Sequence, residues 1–165
     1  MPKAPRTVIV NTTPIIALAL IGKLKLLQQL YGEVVIPPAV WAEINAGGPG
    51  SVGVGELQEA TYIRTVSLSD PRRADLLSDL DRGEAEVLAL AQEMNADLVI
   101  IDERLARRHA KRLGLALTGV LGVLLKAKER GFIPAIGPWV DRLRKGGIHL
   151  GDEIVAEALK LAGEE

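Results

Sequence analysis

The stretch LVIIDERLARRHAKRL, residues 98–113, decides the fold class because a buried-strand pattern ends at Asp102 and a basic helical pattern follows at once. The junction places a carboxylate at the carboxyl edge of a sheet, where open α/β sheets bind ligands. Five cations then recur at spacings of three and four, so they share one helical face, here called the basic face. They are Arg104, Arg107, Arg108, Lys111 and Arg112. An acid beside a cationic face suggests a metal and a phosphate.

Composition restricts the classes of protein and of site. The 165 residues fit one domain, and 20 basic against 21 acidic side chains leave a net charge of −1. Any affinity for nucleic acid must therefore come from local segregation of charge. The absence of cysteine excludes disulfides, thiolate zinc sites, iron–sulfur clusters and a cysteine nucleophile. The longest apolar run, residues 15–21, is far shorter than the ~18 residues of a membrane span, and the basic lead before residue 7 is not a signal peptide. We predict a soluble, cytoplasmic protein that does not bind membranes.

Strand and helix patterns alternate along the chain. Strands are predicted at residues 7–10, 34–36 and 98–101. Helices are predicted at residues 14–20, 23–31, 39–46, 56–60, 82–94, 103–113, 120–130, 139–144 and 152–161. A glycine-rich loop at 47–55, a brief apolar stretch at 62–66 and a polar linker at 69–73 connect them. The alternation predicts an α/β fold, a three-layer α/β/α sandwich with a short-stranded, mainly parallel central sheet.

Four polar side chains stand where strands end or inside apolar helical faces. Asn11 follows the first strand, Glu43 lies in the third helix, Glu84 opens the long helix and Asp102 follows the central strand. Converging oxygen donors without histidine are the ligands that Mg²⁺ and Mn²⁺ prefer. The pattern therefore indicates a divalent-metal site that could activate water or stabilise charge on a phosphodiester.

The three acids also have structural interpretations. Asp102 could be the N-cap of the basic helix, Glu84 a partner of a helix dipole, and Glu43 half of an ion pair. The basic face could simply be solvated. Gly119 and Gly122 could cradle a phosphate with free backbone amides or allow close helix packing.

The chain resembles PIN-domain proteins of the VapC-like ribonuclease superfamily in five segments. They are VIVNTTPIIALALIG at 8–22, VIPPAVWAEI at 35–44, DRGEAEVLALA at 81–91, VIIDERLARRHAKRLGL at 99–115 and TGVLGVLLKAKERG at 118–131. The resemblance is strongest to a bacterial and archaeal branch with a longer C-terminal helical segment. It implies a PIN-like domain over residues 1–131 and a helical extension over residues 132–165, packed on the same domain.

The resemblance also implies a function and a site. The function is RNA cleavage with Mg²⁺ or Mn²⁺, and in a toxin the protein partner would be a small antitoxin that blocks the site. Carried over by position, Asn11 stands where the family has its first Asp, Thr13 matches the supporting hydroxyl, and Glu103 is an additional carboxylate at the same mouth. Glu43, Glu84 and Asp102 match the other acids.

The departure at Asn11 leaves two functions open. An amide oxygen can coordinate a metal but brings no charge, so metal affinity should be weaker. The leading interpretation is a ribonuclease in which Glu84 and Asp102 hold the metal, Asn11 and Glu43 complete its shell, and the basic face contacts RNA phosphates. The alternative is a catalytically weak PIN-like module that binds nucleic acid or protein.

The apolar C-terminal helices allow a further interpretation, an oligomerisation element that makes a homo-oligomer, most simply a dimer. Core packing explains the same side chains equally well. They are Trp139, Ile154, Val155, Leu159 and Leu161.

Overall fold

The structure, a computed structural model, describes residues 7–165 and contains one five-stranded sheet. Its strands are β1 Val8–Val10, β2 Val34–Ile36, β3 Ile63–Thr65, β4 Leu98–Ile100 and β5 Leu117–Thr118. All four neighbouring pairs are parallel, and the order across the sheet is β3-β2-β1-β4-β5. β1 and β2 are buried at every position, which is why their sequences are unbroken apolar runs.

Ten helices connect and cover these strands in the described part of the chain. They are α1 Thr12–Leu20, α2 Leu26–Tyr31, α3 Pro38–Asn45, α4 Val54–Glu59, α5 Arg72–Asp75, α6 Arg82–Met94, α7 Arg104–Arg112, α8 Val120–Glu129, α9 Gly137–Lys145 and α10 Asp152–Leu161. α1 and α2 pack with α8, whereas α6 packs with α7. α3 contacts both α1 and α6. The result is the predicted α/β/α sandwich, and the fold class is confirmed.

The strand order places a topological switch point between β1 and β4. From β1 the chain moves through β2 to β3 on one side, and it then returns to β4 and β5 on the other side. Right-handed crossovers running in opposite directions leave a crevice beyond the carboxyl ends of the two central strands. Val10 pairs with Ile100, and the Asn11 N–H donates to the Ile100 carbonyl at 2.9 Å. Asn11, the residue directly after β1, and Asp102, two residues after the end of β4, therefore stand at the mouth of that crevice.

The C-terminal helices share the core of the sheet domain. Val140 and Leu143 of α9 and Val155 of α10 are buried in the same hydrophobic cluster as the strands. Ile154 and Leu161, by contrast, are exposed. No helix of the described part, residues 7–165, is long and apolar enough to cross a membrane.

The sequence located the long elements better than the short ones. α6 and α10 begin and end at the predicted residues, but α2 begins three residues late because residues 23–25 form a turn. β3 and β5 were not predicted as strands, since edge strands of three and two residues carry too little pattern. The predicted basic lead, residues 1–6, lies outside the described residues.

Candidate functional site

Asn11 lies at the centre of the switch point with an unused polar atom. It is the N-cap residue of α1, yet its side chain makes no capping hydrogen bond. The residue is only 4% exposed, and its Oδ1 atom is buried without a hydrogen-bond partner. Leaving such an acceptor unsatisfied costs about 1–3 kcal/mol. The position therefore suits a donor or a cation that would contact this oxygen.

Glu84 lies in the first turn of α6 and is 7% exposed. It forms a capping box with Asp81: the Glu84 N–H donates to Asp81 Oδ1 at 2.8 Å, and the Asp81 N–H donates to Glu84 Oε1 at 3.2 Å. Burial raises the pKa of Glu84 to about 7, although the hydrogen bond from the Asp81 N–H lowers it. The negative charges of Asp81, Glu103 and Glu43 add to the rise. Glu43 and Glu103, two of the acids predicted from sequence, are thus electrostatic neighbours of Glu84.

Glu43 ties α3 to two other helices. Its carboxylate accepts the Thr12 hydroxyl at 2.6 Å and the backbone N–H of Gly83, the second residue of α6, at 3.0 Å. In return, the Glu86 carboxylate on α6 accepts the N–H of Ala39, the second residue of α3, at 3.0 Å. Each helix therefore supplies a carboxylate to the N-terminus of the other, which favours both through the helix dipoles. Glu43 holds Glu84 in place by fixing the start of α6.

Asp102 joins the end of β4 to the start of α8. Both of its oxygens accept the Val120 N–H, at 3.2 and 3.1 Å. Burial raises the pKa of Asp102, and the Val120 N–H and the nearby Arg107 charge partly offset the rise. The alternative role for Asp102, capping α7, belongs to Glu103, whose Oε2 accepts the Ala106 N–H at 2.8 Å.

The basic face divides into one inward and several outward cations. Arg107 is partly buried and donates from Nη1 to the Ile101 carbonyl at 2.8 Å. Arg104, Arg108 and Lys111 are exposed and form no ion pair within residues 7–165. These three are free to contact an anion, whereas Arg107 braces the strand end that carries Asp102.

Three glycines make room for polar side chains: sequence reasoning considered close packing at Gly119 and Gly122 but missed Gly83. A Cβ on Gly83 would collide with the Glu43 carboxylate, and one on Gly119 would collide with Asp102 Oδ1. A Cβ on Gly122 would meet the Thr118 hydroxyl, so the predicted glycine pair admits strand-end side chains to the start of α8. A glycine in the first turn of a helix, where it lowers helix stability, was the available signal at Gly83.

The hydroxyl that reaches the acids belongs to Thr12 rather than to the predicted residue. Thr12 donates to Glu43, while Thr13 is exposed, and Asn11 Oδ1 accepts no hydrogen bond from it. Nothing at the level of sequence separates two adjacent threonines, because the choice depends on how α3 lies across α1.

The donor atoms fit a divalent cation by type. Within residues 7–165, no three His, Cys, Asp or Glu side chains form a group that could hold a metal ion. Mg²⁺, however, keeps several waters and is usually bound through only one or two carboxylates. Asn11 offers an unpartnered buried oxygen, and Glu84 and Asp102 are carboxylates whose ionised forms burial disfavours. A cation would relieve all three conditions.

Comparisons with known proteins agree with this architecture. A family model described as a PIN domain matches residues 7–164. Among solved structures, the chain is similar to a PilT N-terminus domain protein from the hyperthermophilic archaeon Sulfolobus solfataricus, with a TM-score of 0.51 and 20% sequence identity. That match covers 73% of this chain and 92% of the other, and at such identity it shows the fold alone. None of the curated proteins matches the chain.

Proposed function

We propose that this chain, which belongs to the PIN-domain family, is a divalent-metal-dependent ribonuclease of the VapC-like toxin type that hydrolyses RNA phosphodiester bonds. PIN domains generally have a nuclease-type fold and use divalent metal ions. The observation that carries the proposal is the buried, unpartnered Asn11 Oδ1 at the switch point, beside β4, the strand that Asp102 follows. An amide oxygen is left unsatisfied there, where a ligand is expected.

Each residue of the site has a separate role in this proposal. Asn11, Glu84 and Asp102 would hold Mg²⁺ or Mn²⁺, which when bound supplies activation of water and charge stabilisation at the phosphate. Glu43 and Thr12 would position the other site residues rather than the metal. The hydrogen bond between them and the one from the Gly83 N–H to Glu43 fix the start of α6. The site is thereby organised before any substrate arrives.

RNA binding would use the outward cations of the basic face. Arg104, Arg108 and Lys111 are exposed on the helix that begins beside Asp102, so they can offset phosphate charge next to the acids. With only one Phe, two Tyr and two Trp in the chain, recognition would rest mainly on backbone charge and RNA shape.

The decisive experiment is cleavage of single-stranded and structured RNA in Mg²⁺, Mn²⁺ or EDTA. Wild type is compared with Asp102→Asn and with a matched control, Asp141→Asn, whose side chain is exposed on α9. We expect metal-dependent cleavage that falls by about 100-fold or more in Asp102→Asn and stays unchanged in Asp141→Asn. Equal cleavage by all three proteins would indicate a contaminating nuclease and would contradict the assignment of the site.

A PIN-like binding module without strong catalysis is the second candidate. Asn11 replaces a charged ligand, and the Glu43 carboxylate is already engaged by Thr12 and Gly83. The variant Asn11→Asp discriminates the two candidates within the same assay. A large gain in cleavage and metal affinity would indicate a weakened site, comparable activity would show that the amide suffices, and no cleavage by any variant would favour the binding module.

We also propose two protein partners for a protein of the toxin type. A small antitoxin would cover the acidic mouth, and a second copy of the chain would form a homodimer. The exposed Ile154 and Leu161 support the dimer because they lie seven residues apart, on one face of α10. Sedimentation of the wild-type preparation measures its mass, and a monomer would end the dimer proposal.

A further inference from the structure

Trp139 gathers two cations near the C-terminal end of α1. Lys23 Nζ lies 4.6 Å from the centre of the Trp139 ring, and Arg142 Cζ lies 4.8 Å from it. Lys145 follows one turn after Arg142 on α9 and is exposed. These four residues are here called the tryptophan patch.

The positive charges of the tryptophan patch lack acidic partners. Lys23, Arg142 and Lys145 form no ion pair with any residue in the 7–165 range, and Asp141 on the same helix does not approach them as an ion pair. Arg144, one residue before Lys145, is by contrast bonded to the Leu150 carbonyl and to Asp152. Three uncompensated cations therefore gather in a chain whose net charge is −1.

The tryptophan patch is separated from the acidic mouth by the length of one helix. Asn11 is the N-cap residue at the start of α1, and Lys23 follows the end of the same helix. Nine residues of α-helix span about 14 Å. The last turn of α9 is fixed there, because Gly146 lies so close to Leu20 that a Cβ would collide with it.

We propose that the tryptophan patch is a second RNA-backbone site, which binds phosphates of a strand whose scissile bond lies at the acidic mouth. The ring orders the two long side chains before binding, so less conformational entropy is lost when a phosphate arrives. Because both cations lie over the ring, the patch offers positive charge to phosphates rather than a stacking surface to bases. The proposal rests on the ribonuclease proposal for its choice of RNA, but the binding site does not require cleavage.

Salt dependence of binding tests the proposal in the absence of cleavage. The affinity of a fluorescent single-stranded RNA is measured in EDTA at several salt concentrations for wild type and for Lys23→Gln/Arg142→Gln. The matched control is Lys126→Gln/Arg64→Gln, which removes the same two charges from exposed surface ion pairs elsewhere. The slope of log Kd against log salt should fall by about 1.4 in the patch variant, about 0.7 per phosphate contact, and should stay near the wild-type value in the control. At 0.1 M salt this corresponds to roughly 25-fold weaker binding.

The outcomes separate the two proposals. Equal slopes in the patch variant and the control, or no RNA binding by wild type, would overturn the second site even if the protein cleaves RNA. A reduced slope in the patch variant without any cleavage by wild type would support the second site while the ribonuclease proposal fails. Lys145→Gln, a single exposed change with an expected slope change of about 0.7, serves if the double variant does not fold. Single-stranded DNA should show the same loss, because phosphate contacts do not depend on the 2′-hydroxyl.

Discussion

Two glutamates at helix N-termini, Glu84 and Glu164, have opposite electrostatic surroundings. At the start of α9, the Ile136 N–H donates to Glu164 Oε2 and the Gly137 N–H donates to Glu164 Oε1, each at 2.9 Å. Glu164 also pairs with Lys128 at 2.9 Å. Partial burial works against its ionisation, but these donors outweigh burial and hold the pKa of Glu164 below its usual value. Burial raises the pKa of Glu84 to about 7, and the neighbouring charges are other acids.

The difference separates a structural carboxylate from a candidate functional one. Around Glu164 the fold supplies two N–H donors and a cation, so the carboxylate holds the segment after α10 against the start of α9. Around Glu84 the fold supplies burial and like charges, which destabilise the ionised form. A strongly perturbed acid in a crevice is typical of a functional site. The contrast favours a ligand role for Glu84 and none for Glu164.

The largest expected effect is the removal of the Glu84 charge. Because burial raises the folded-state pKa, ionised Glu84 destabilises the fold progressively as pH rises from its ordinary value of 4.5 through about 7. The variant Glu84→Gln keeps an oxygen for the capping box and should be more stable than wild type at pH 8, by an amount on the order of 3 kcal/mol at most. At pH 4 the two proteins should differ little. Thermal or denaturant unfolding at both pH values measures this.

Added Mg²⁺ or Mn²⁺ sharpens the same comparison. At pH 8 the cation should raise the melting temperature of wild type, since it compensates the buried charges, and should raise that of Glu84→Gln less. A wild-type melting temperature that does not respond to either ion would count against the metal site. A Glu84→Gln protein less stable than wild type at pH 8 would show that the charge is compensated after all.

Glu164→Gln should have a smaller effect in the opposite direction. The amide cannot accept through its nitrogen, so one N–H of Ile136 or Gly137 and the Lys128 charge lose their partner, at a cost of about 1–2 kcal/mol at pH 7. Because the folded-state pKa is lowered, the stabilisation is present above the ordinary pKa of Glu and disappears as pH falls below it. Unfolding at pH 7 and at pH 3 tests this, with Glu165→Gln, an exposed neighbour, as control. Equal losses in both variants would contradict a specific role for Glu164.

Thr12→Val should have the smallest effect. It removes the hydroxyl that donates to Glu43, a loss of about 1 kcal/mol, while Thr12→Ser retains the donor and should behave as wild type. The loss in free energy of unfolding should be the same at every pH between 6 and 8 if the hydroxyl serves only to hold the Glu43 carboxylate that fixes the start of α6. Urea unfolding of the three proteins measures it, and a serine variant as unstable as the valine variant would argue that the methyl group, rather than the hydrogen bond, matters.

By itself the sequence determined the parts of this protein that depend on local pattern. Apolar runs defined β1, β2 and β4, amphipathic spacing defined α6 and α10 to the residue, and the position of Asp102 after a strand indicated a sheet-edge site. The motif order further identified the family. These features are local because a few consecutive residues carry the whole signal.

Only the tertiary structure decided how the site residues are used. Capping of α7 fell to Glu103 rather than Asp102, the hydroxyl at the acids was Thr12, and Arg107 turned inward to a carbonyl. The tryptophan patch likewise joins Lys23 to a helix more than a hundred positions later. Partners so distant in sequence are chosen by the packing of helices across the sheet, because a hydrogen bond or an ion pair requires atoms within about 3–4 Å, and no local pattern contains that distance.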